Sequence, residues 1–293
     1  MSKQTGSKQA GSKQAGSKQA GSKQAGSKQA GSKKTGPKQA GSESLSERLL
    51  TARAAGDFSP AFLKGVRDLP TALDLQLAVL GDHLRGGEQV GGWKVGLTSQ
   101  ASRIRLGADE RPFGFVLASQ TFASGESIDS SAIQNLSVET EMCFTVGRDI
   151  DDTNVQPDDV LDYIDTVSAG FELNEARPGS VRPDFFAMVT DCLTNWGIVC
   201  GDGVPPVNAE QLSSTEITMS RNGEQVFAGT SHDFVDDHTI SLCRLVEQLA
   251  RHDQKLRAGQ RVITGAFARF PTEPGDRWAA RYSSIGDVAI TIM

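Results

Sequence analysis

The first 42 residues lack every acidic and aromatic residue, and they have no aliphatic side chain beyond alanine and the methionine at position 1. A Gly-Ser-Lys-Gln-Ala pentad repeats through them with small variations, and a period of five residues builds neither a helical face nor a strand face. Because such a segment has no apolar surface to offset the entropy of ordering its backbone, we expect residues 1–42 to be a disordered tail.

Charge is distributed unevenly between this tail and the rest of the chain. The tail holds nine lysines, and subtracting them from the 30 basic residues leaves 21 against 36 acidic ones, so the remainder carries a net charge of about −15. A basic tail can contact nucleic acid, an acidic partner or the acidic body of its own chain. We interpret it as a low-complexity extension and expect no nucleic-acid partner.

Cysteine and long apolar runs are also scarce. The four cysteines, Cys143, Cys192, Cys200 and Cys243, are widely spaced and form no CxxC motif, which argues against a disulfide framework and a zinc knuckle. The chain has no apolar run of membrane-spanning length, and its tail lacks the apolar stretch of a secretory signal. We therefore expect a soluble cytoplasmic protein with buried thiols and no membrane partner.

The order of predicted elements indicates the fold class. Apolar spacing predicts two helices at 44–54 and 71–84, and after residue 91 short β-rich runs alternate with turn residues. The predicted strands are 137–146, 167–173, 196–200, 215–220, 225–228, 260–264 and 287–292, with helices at 157–164 and 238–252 between them. Helices followed by strands, without regular βαβ alternation, predict an α+β fold with a largely antiparallel or mixed sheet.

The order of predicted helices and strands also suggests how the chain is divided into regions. We expect the tail to be followed by an N-terminal helical region at 43–90 and a catalytic mixed-β domain at 91–293. About 250 residues outside the tail are enough to bury one substantial core.

Two glutamates stand two positions apart in the predicted strand 137–146. Glu139 and Glu141 therefore project from the same face of that strand. Like charges this close raise each other's pKa unless a positive group lies between them, and a hard divalent cation is a common solution. On the pair alone, a solvent-facing strand with a charged outer face is the more common explanation.

Two further charged residues lie in apolar surroundings. Glu172 is flanked by a phenylalanine and a leucine and would be costly to bury unless it is paired or binds a metal. An outward-pointing side chain, or an ion pair with Arg177, is the alternative. Lys94 lies between a tryptophan and a valine, where desolvation can lower an ammonium pKa toward neutrality, as an acid–base lysine requires. The alternative for Lys94 is a surface position on an edge strand.

Four segments in sequence order carry a resemblance to a known family. They are Gly92-Trp93-Lys94-Val95-Gly96-Leu97-Thr98-Ser99, the Glu139-x-Glu141 pair, Glu172, and Leu256-Arg257-Ala258-Gly259-Gln260-Arg261-Val262-Ile263-Thr264-Gly265. In these segments the chain resembles the fumarylacetoacetate hydrolase superfamily, and within it the 2-oxopent-4-enoate hydratase and 4-oxalocrotonate decarboxylase branch of aromatic catabolism. The resemblance covers almost all of the chain after the tail.

The resemblance implies a fold, a cofactor and partners. It implies a mixed β-roll core, and Mg²⁺ or Mn²⁺ bound by Glu139, Glu141 and Glu172. It implies that Lys94 lines the pocket as proton donor or acceptor. Enzymes of this group form homo-oligomers and can associate with a sister hydratase or decarboxylase, so we expect the same of this chain.

The same resemblance guides the choice of pocket residues. We expect Leu97, Ser99 and Thr264 to contact the substrate, a 2-oxo or 2-hydroxy-dienoic acid, and Asp191 to be a polar catalytic residue of the pocket. Asp191 can equally be a structural cap in a turn, and Thr264 can equally be the end of a strand before a turn.

The chain departs from the family pattern in two places. Thr190-Asp191-Cys192 stands where the group has Ala-Asp-Asn, and Asp236-Asp237-His238 stands where it has Asn-Pro. Both departures fall near the expected substrate position and leave the exact substrate open. We expect His238 to support the start of the late helix, with Asp237 as its cap. Arg103, Arg177 and Arg182 are the candidates for binding a distal carboxylate.

Four functions remain after these observations. The first is a divalent-metal-dependent hydratase of 2-hydroxy-2,4-dienoates, and the second is a decarboxylase of a 2-oxo-dicarboxylate of the 4-oxalocrotonate type, because both reactions pass through a stabilised enolate. Acylpyruvate C–C hydrolysis ranks third, because we find no counterpart of the His–Glu pair that activates water in those hydrolases. A non-catalytic relative that binds an acidic metabolite or stabilises a partner enzyme is the fourth.

Overall fold

Two helices begin the part of the chain that this computed structural model describes, residues 43–293. Helix α1 (Leu45–Ala54) starts with a capping box, in which the Ser44 hydroxyl accepts from the Glu47 N–H and the Glu47 carboxylate accepts from the Ser44 N–H. Helix α2 (Leu69–Arg85) has Asp68 as its N-cap. Both helices fall where apolar spacing predicts them. The predicted disorder of residues 1–42 lies outside the described residues.

The remaining helices are short, except for the last. They are α3 (Gln100–Leu106), α4 (Phe185–Thr190), α5 (Ala209–Ser214) and α6 (His238–Arg251). The strands are β1 (Val90–Val95), β2 (Phe113–Leu117), β3 (Thr121–Ala123), β4 (Ser127–Ile128), β5 (Leu136–Val146), β6 (Ile164–Glu175), β7 (Asn195–Cys200), β8 (Glu216–Arg221), β9 (Glu224–Thr230), β10 (Arg261–Pro271), β11 (Arg277–Tyr282) and β12 (Gly286–Ile292). The helix predicted at 157–164 is wrong, because only a single 3-10 turn forms there, at Val160–Tyr163.

These strands form two mixed sheets. The larger has seven strands in the order β2-β1-β10-β5-β6-β7-β3, and the smaller has five in the order β4-β12-β11-β8-β9. The pairs β1/β10, β3/β7 and β4/β12 are parallel, and the other neighbours are antiparallel. The predicted α+β fold with a mixed sheet is confirmed.

The core lies between the sheets and the helices that cover them. Helix α6 places Leu242, Leu245 and Leu249 on its buried face at helical spacing, which anchors it against the strands. Trp93 on β1 and Trp278 on β11 are both fully buried and fill the largest volumes in this core. Residues 43–293 form one compact unit.

The absences expected from the sequence can be checked within residues 43–293. There, all four cysteines are free thiols and three of them are buried. Of the helices in this range, none combines the length and the apolar composition that crossing a bilayer requires.

The centre of the large sheet is the hairpin-like pair β5 and β6, which runs antiparallel over eleven registered positions from Leu136↔Glu175 to Val146↔Ile164. Both strands are buried on both faces along most of their length. Gly170 lies opposite Glu141, and a Cβ there would come within 3.1–3.3 Å of the Cys143 side chain and two backbone carbonyls. The side chain of Glu141 therefore has no side-chain neighbour directly across β6.

Candidate active site

Three carboxylates meet on one face of the β5–β6 pair. Glu139 and Glu141 share this face because strand side chains alternate, and Glu172 joins them because the antiparallel register sets it directly opposite Glu139. One oxygen from each carboxylate lies within 4.8 Å of those of the other two. Glu172 is fully buried and Glu141 is 2% exposed. The cluster expected from the sequence therefore forms, with its members on two separate strands.

Amide groups hold the carboxylates in place. The side-chain amide of Asn174 donates to Glu139 Oε2 at 3.1 Å, and that of Asn195 donates to Glu172 Oε1 at 2.8 Å. The second oxygen of Glu172, Oε2, is buried and has no hydrogen-bond partner among the described residues. A buried, unpartnered carboxylate oxygen is costly, so this atom marks a position where a cation would be stabilising.

A break in strand β10 supplies the partner of Glu141. The pairing of β10 with β5 shifts between Ile263 and Ala266, and at this irregularity the Gly265 N–H donates to Glu141 Oε2 at 2.7 Å. Gly265 has φ +120°, and a Cβ there would collide with the side chain of Thr98. Only glycine fits this position, so the bulge and the orientation of Glu141 depend on it.

Lys94 enters the cluster from β1, two strands away from β5. Lys94 is 6% exposed, and its ammonium group pairs with Glu172 Oε1. It also donates to the backbone carbonyl of Leu193 at 3.3 Å. That carbonyl belongs to a turn, Cys192–Thr194, in which all three residues have positive φ. Non-glycine residues adopt this conformation at an energetic cost, so the surrounding structure holds the turn against strain beside the lysine.

The electrostatics of the cluster are dominated by surplus negative charge. Burial and the neighbouring Glu172 raise the pKa of Glu139 to about 7, and burial and the same neighbour raise the pKa of Glu141 well above its usual range. Burial alone would raise the pKa of Glu172 too, but the Lys94 ammonium outweighs it and holds that pKa below the usual range. Three carboxylates with one ammonium thus lack about two positive charges.

The pKa of Lys94 differs from the sequence expectation. Burial does act to lower it, as expected, but the carboxylates of Glu172, Glu139 and Glu141 outweigh burial and raise the Lys94 pKa above its usual value. A pKa near neutrality is expected for Lys94 when only its apolar neighbours along β1 are taken into account, because the acids on the other strands are not visible in the sequence. Neutralising these three carboxylates would remove the cause of the raised Lys94 pKa.

A cavity of about 560 Å³ opens beside the cluster. Lys94 and the three glutamates line it, as do Leu97 and Ser99 of the segment after β1. Leu97 has φ +54°, and the Ser99 hydroxyl caps helix α3 by accepting from the Ser102 N–H at 3.2 Å. The two predicted substrate-contacting residues nearest Lys94 in sequence therefore border the cavity.

Two other predicted site residues do not line this cavity, and their placement corrects the sequence-based assignment. Thr264 is fully buried and its hydroxyl bonds to His238 Nδ1 at 2.7 Å, while its neighbour Gly265 borders the cavity. Asp191 accepts from Arg53 at 2.6 Å and from Arg177 at 2.7 Å. Because both guanidinium groups bind its carboxylate, Asp191 connects α1 to the end of α4.

The arginines proposed for a distal carboxylate are also placed elsewhere. Arg177 pairs with Glu175 as well as Asp191, and Arg103 donates to the Leu97 carbonyl and to Asp236. Neither Arg103, Arg177 nor Arg182 lines the cavity. Sequence spacing could not distinguish an arginine that faces the cavity from one already engaged by acids brought near it only by folding.

Several residues that contact the glutamate cluster were not predicted from the sequence. Asn174 carried a usable signal, because it lies two positions after Glu172 and strand alternation sets it on the same face. Asn195 carried none, and the segment that ends at Gly265 gave no sign of its contact with Glu141, since each residue reaches the cluster through pairing of distant strands. Arg269, which lies 3.5 Å from Glu139 at the cavity edge, is placed there by the register of β10 with β5.

A buried hydrogen-bond chain supports the wall of the cavity. The ring of His238, the first residue of α6, bonds to Thr264 Oγ1 at 2.7 Å and to Ser231 Oγ at 2.8 Å. Asp237 caps α6 by accepting from the Ile240 N–H, as expected. The ring thus connects the strand that carries Gly265 to the turn Ser231–Asp233, part of which borders the cavity.

The buried ring of His238 predicts a pH dependence of stability. Burial lowers its pKa to about 4, below the usual 6.5, so the unfolded chain binds a proton between these pH values that the folded chain does not. The stabilisation from His238 is therefore complete above pH 6.5, decreases as pH falls toward 4, and amounts to ~3 kcal/mol at most. In denaturant titrations, we expect the stability difference between wild type and His238→Gln to be larger at pH 7.5 than at pH 4.5. An equal difference at both pH values would contradict the burial of a neutral ring.

The comparisons with known proteins agree with this geometry. Residues 93–293 match the family model described as fumarylacetoacetate (FAA) hydrolase C-terminal, and the chain belongs to this family. A 2-keto-4-pentenoate hydratase of Paraburkholderia xenovorans is 29% identical over 203 residues, which cover 69% of this chain and 76% of that protein. A 4-oxalocrotonate decarboxylase of Pseudomonas sp. strain CF600 is 25% identical over 219 residues, which cover 74% of this chain and 83% of that protein.

A solved structure shares the fold over most of the described chain. It is a 4-oxalocrotonate decarboxylase from Pseudomonas putida G7, complexed with magnesium and adipate, with a TM-score of 0.75 and 23% identity. The match covers 85% of this chain and 96% of that one. The expected resemblance to the fumarylacetoacetate hydrolase superfamily and its hydratase and decarboxylase branch is confirmed.

Proposed function

We propose that this chain is a divalent-metal-dependent hydratase of 2-hydroxy-2,4-dienoates that acts in aromatic catabolism. The observation that carries the proposal is the convergence of Glu139, Glu141 and Glu172 with Lys94 beside one cavity. The hydratases and decarboxylases among the relatives support it by class. Decarboxylation of a 4-oxalocrotonate-type substrate is the second candidate, because relatives of both kinds match the chain.

The residues fit a hard divalent cation such as Mg²⁺ or Mn²⁺. Carboxylate oxygens are the ligands these ions prefer, and Glu172 Oε2 is a buried oxygen without a partner. The missing positive charge beside Lys94 is about that of one divalent ion. Glu139, Glu141 and Glu172 would hold it. When bound, the ion supplies positive charge that stabilises the negative charge developing on a 2-oxo carboxylate.

The protein's own residues account for binding and proton transfer. The backbone from Lys94 to Ser99 forms one wall of the cavity, and Leu97 and Ser99 on it would contact the substrate. Lys94 Nζ would act as a neutral amine once a bound cation offsets the carboxylates that raise its pKa; it would then take the proton from the 2-hydroxyl group and return it to the carbon chain when the dienol becomes a ketone. Its contact with the Leu193 carbonyl fixes the direction from which Nζ approaches.

The setting of the enzyme completes the proposal. We propose a cytoplasmic enzyme with a small-molecule dienoate substrate, organised as a homo-oligomer that can associate with a sister hydratase or decarboxylase. We also propose that residues 91–293 supply the catalytic groups and that residues 43–90 cover and brace them through contacts such as the ion pair of Arg53 with Asp191.

Turnover of two substrates tests the proposal and separates its two forms. We expect the protein with Mg²⁺ or Mn²⁺ to remove the ultraviolet absorbance of 2-hydroxypenta-2,4-dienoate or a longer 2-hydroxy-dienoate without releasing CO₂. Decarboxylation would instead release CO₂ from 4-oxalocrotonate. Thorough removal of divalent ions with a chelator should abolish the reaction, and adding Mg²⁺ back should restore it. Turnover that survives chelation would reject both forms.

A further inference from the structure

One arginine that borders the cavity is not engaged by the protein itself. Arg105 lies on helix α3, whose residues Ala101 and Ser102 also line the cavity. These three share one helical face, because positions three and four apart are neighbours on a helix. The other two are small, so Arg105 is the one charged side chain on this face. Among residues 43–293 it makes no ion pair and no side-chain hydrogen bond.

The other charged groups along the cavity have partners of their own. Lys94 pairs with Glu172, and Arg269 lies beside Glu139. Asp233 lies 3.4 Å from its neighbour His232, and Asp236 is paired with Arg103 at 2.9 Å. Within the described part of the chain, Arg105 is thus the cavity-lining cation without an acid.

The region behind helix α3 adds to this positive charge. Arg103 and Arg111 both direct a guanidinium group at the single carboxylate of Asp236, at 2.9 and 3.7 Å. Burial and the proximity of Arg103 lower the pKa of Arg111, and its buried Nε has no partner among the residues described. Counting Arg244 and Asp237, whose charges also act on Arg111, three arginines here face two acids before Arg105 is counted. An anion near α3 would therefore be stabilised.

We infer that the cavity is built for a substrate with two carboxylates, and that Arg105 binds the second one. The inference rests on the proposed function, in which the glutamate cluster and its cation take the 2-oxo carboxylate end. The far carboxylate then lies toward α3, where a guanidinium group can bind it with two parallel hydrogen bonds. A cavity of about 560 Å³ is of the usual size for a small-molecule site. Arg105 acts as a specificity-determining residue and takes no part in proton transfer.

Two ligands of equal chain length test the inference. 2-Oxoadipate and 2-oxohexanoate both carry the 2-oxo carboxylate, and they differ in having a carboxylate or a methyl group at the far end. We expect calorimetric titration of the full-length protein in Mg²⁺ to show 2-oxoadipate binding about tenfold more tightly. Arg105→Gln should remove this advantage and leave the affinity for 2-oxohexanoate unchanged. Arg182→Gln, an exposed arginine outside the cavity, is the matched control and should behave as wild type.

The possible results distinguish failure of this inference from failure of the proposed function on which it rests. Equal affinity of the wild type for the two ligands, or an undiminished preference in Arg105→Gln, overturns the inference and leaves the proposed function standing. A loss of affinity for both ligands in Arg105→Gln also overturns it, since the arginine would then support the site as a whole. Failure of the wild type to bind either ligand in Mg²⁺ overturns the proposed function together with the inference.

Discussion

Glu141→Gln should lower metal-dependent turnover by at least roughly 10²-fold while the fold remains intact. Glutamine keeps the shape of the side chain, and its carbonyl oxygen can still accept from the Gly265 N–H that bonds to Glu141 at 2.7 Å. It removes one of the three negative charges that attract the cation. Steady-state kinetics at saturating Mg²⁺ measure the loss.

The same substitution should not weaken the metal-free protein. Burial and two neighbouring carboxylates raise the pKa of Glu141, which means that folding disfavours its charged form. At neutral pH a neutral side chain removes that penalty. We therefore expect metal-free Glu141→Gln to unfold at the same denaturant concentration as metal-free wild type, or at a higher one.

A matched control separates this effect from a general loss of acidic charge. Glu224 is an exposed glutamate at the start of strand β9, far in sequence from the cluster and without an ion pair among the described residues. Glu224→Gln should retain wild-type turnover. Wild-type turnover in Glu141→Gln would show that this carboxylate has no part in the reaction.

Lys94→Met should lower turnover by roughly 10²–10⁴-fold, the usual contribution of a positioned acid–base group. Unlike the glutamate variant, it should still bind a divalent ion, because all three carboxylates remain and the ammonium that competes for Glu172 is gone. Kinetics with a parallel Mn²⁺-binding measurement distinguish the two variants. Equal loss of metal binding in both would assign Lys94 to the support of the cluster and not to proton transfer.

Stability gives a second check on Lys94. Without its ammonium, the fully buried carboxylate of Glu172 loses its ion-pair partner, which typically costs about 3–5 kcal/mol in a buried pair. We expect metal-free Lys94→Met to be less stable than metal-free wild type, and added Mg²⁺ to reduce the difference. Lys64→Met, at an exposed lysine, should show neither effect.

The sequence predicted the parts of the site that strand periodicity determines. Glu139 and Glu141 share a face because they are two residues apart, and this required no tertiary information. Only the family resemblance indicates that Glu172 joins them, since nothing in one sequence states which residue of β6 lies opposite Glu139. Register across two strands is set by packing of the whole sheet.

Other parts of the site depend on contacts that no local pattern records. Asp191 stands in a segment where the family has a pocket residue, yet Arg53 and Arg177 hold it outside the cavity. Thr264 ends the predicted strand, but β10 continues through a bulge to Pro271, so its hydroxyl faces His238. Both differences arise where residues far apart in sequence become partners.

Two of the strands that were not predicted have different physical explanations. Strand β2 is buried on all five residues, and a short apolar run of that kind lacks the alternation that identifies a half-exposed strand. Strand β11 alternates cleanly between exposed and buried residues, but its tryptophan, alanines and arginines do not form the β-branched run that indicates a strand. The predicted fold class was correct without these strands, because it depends on the order of elements and not on their number.

A direct titration of Mn²⁺ into metal-free protein, followed by the electron paramagnetic resonance signal of the free ion, tests whether Glu139, Glu141 and Glu172 together bind one divalent cation. This shared site predicts one tightly bound Mn²⁺ per chain for wild type and for Glu224→Gln, displaced by excess Mg²⁺, and none for Glu141→Gln. Equal Mn²⁺ binding by wild type and Glu141→Gln, or no binding by wild type, would contradict it.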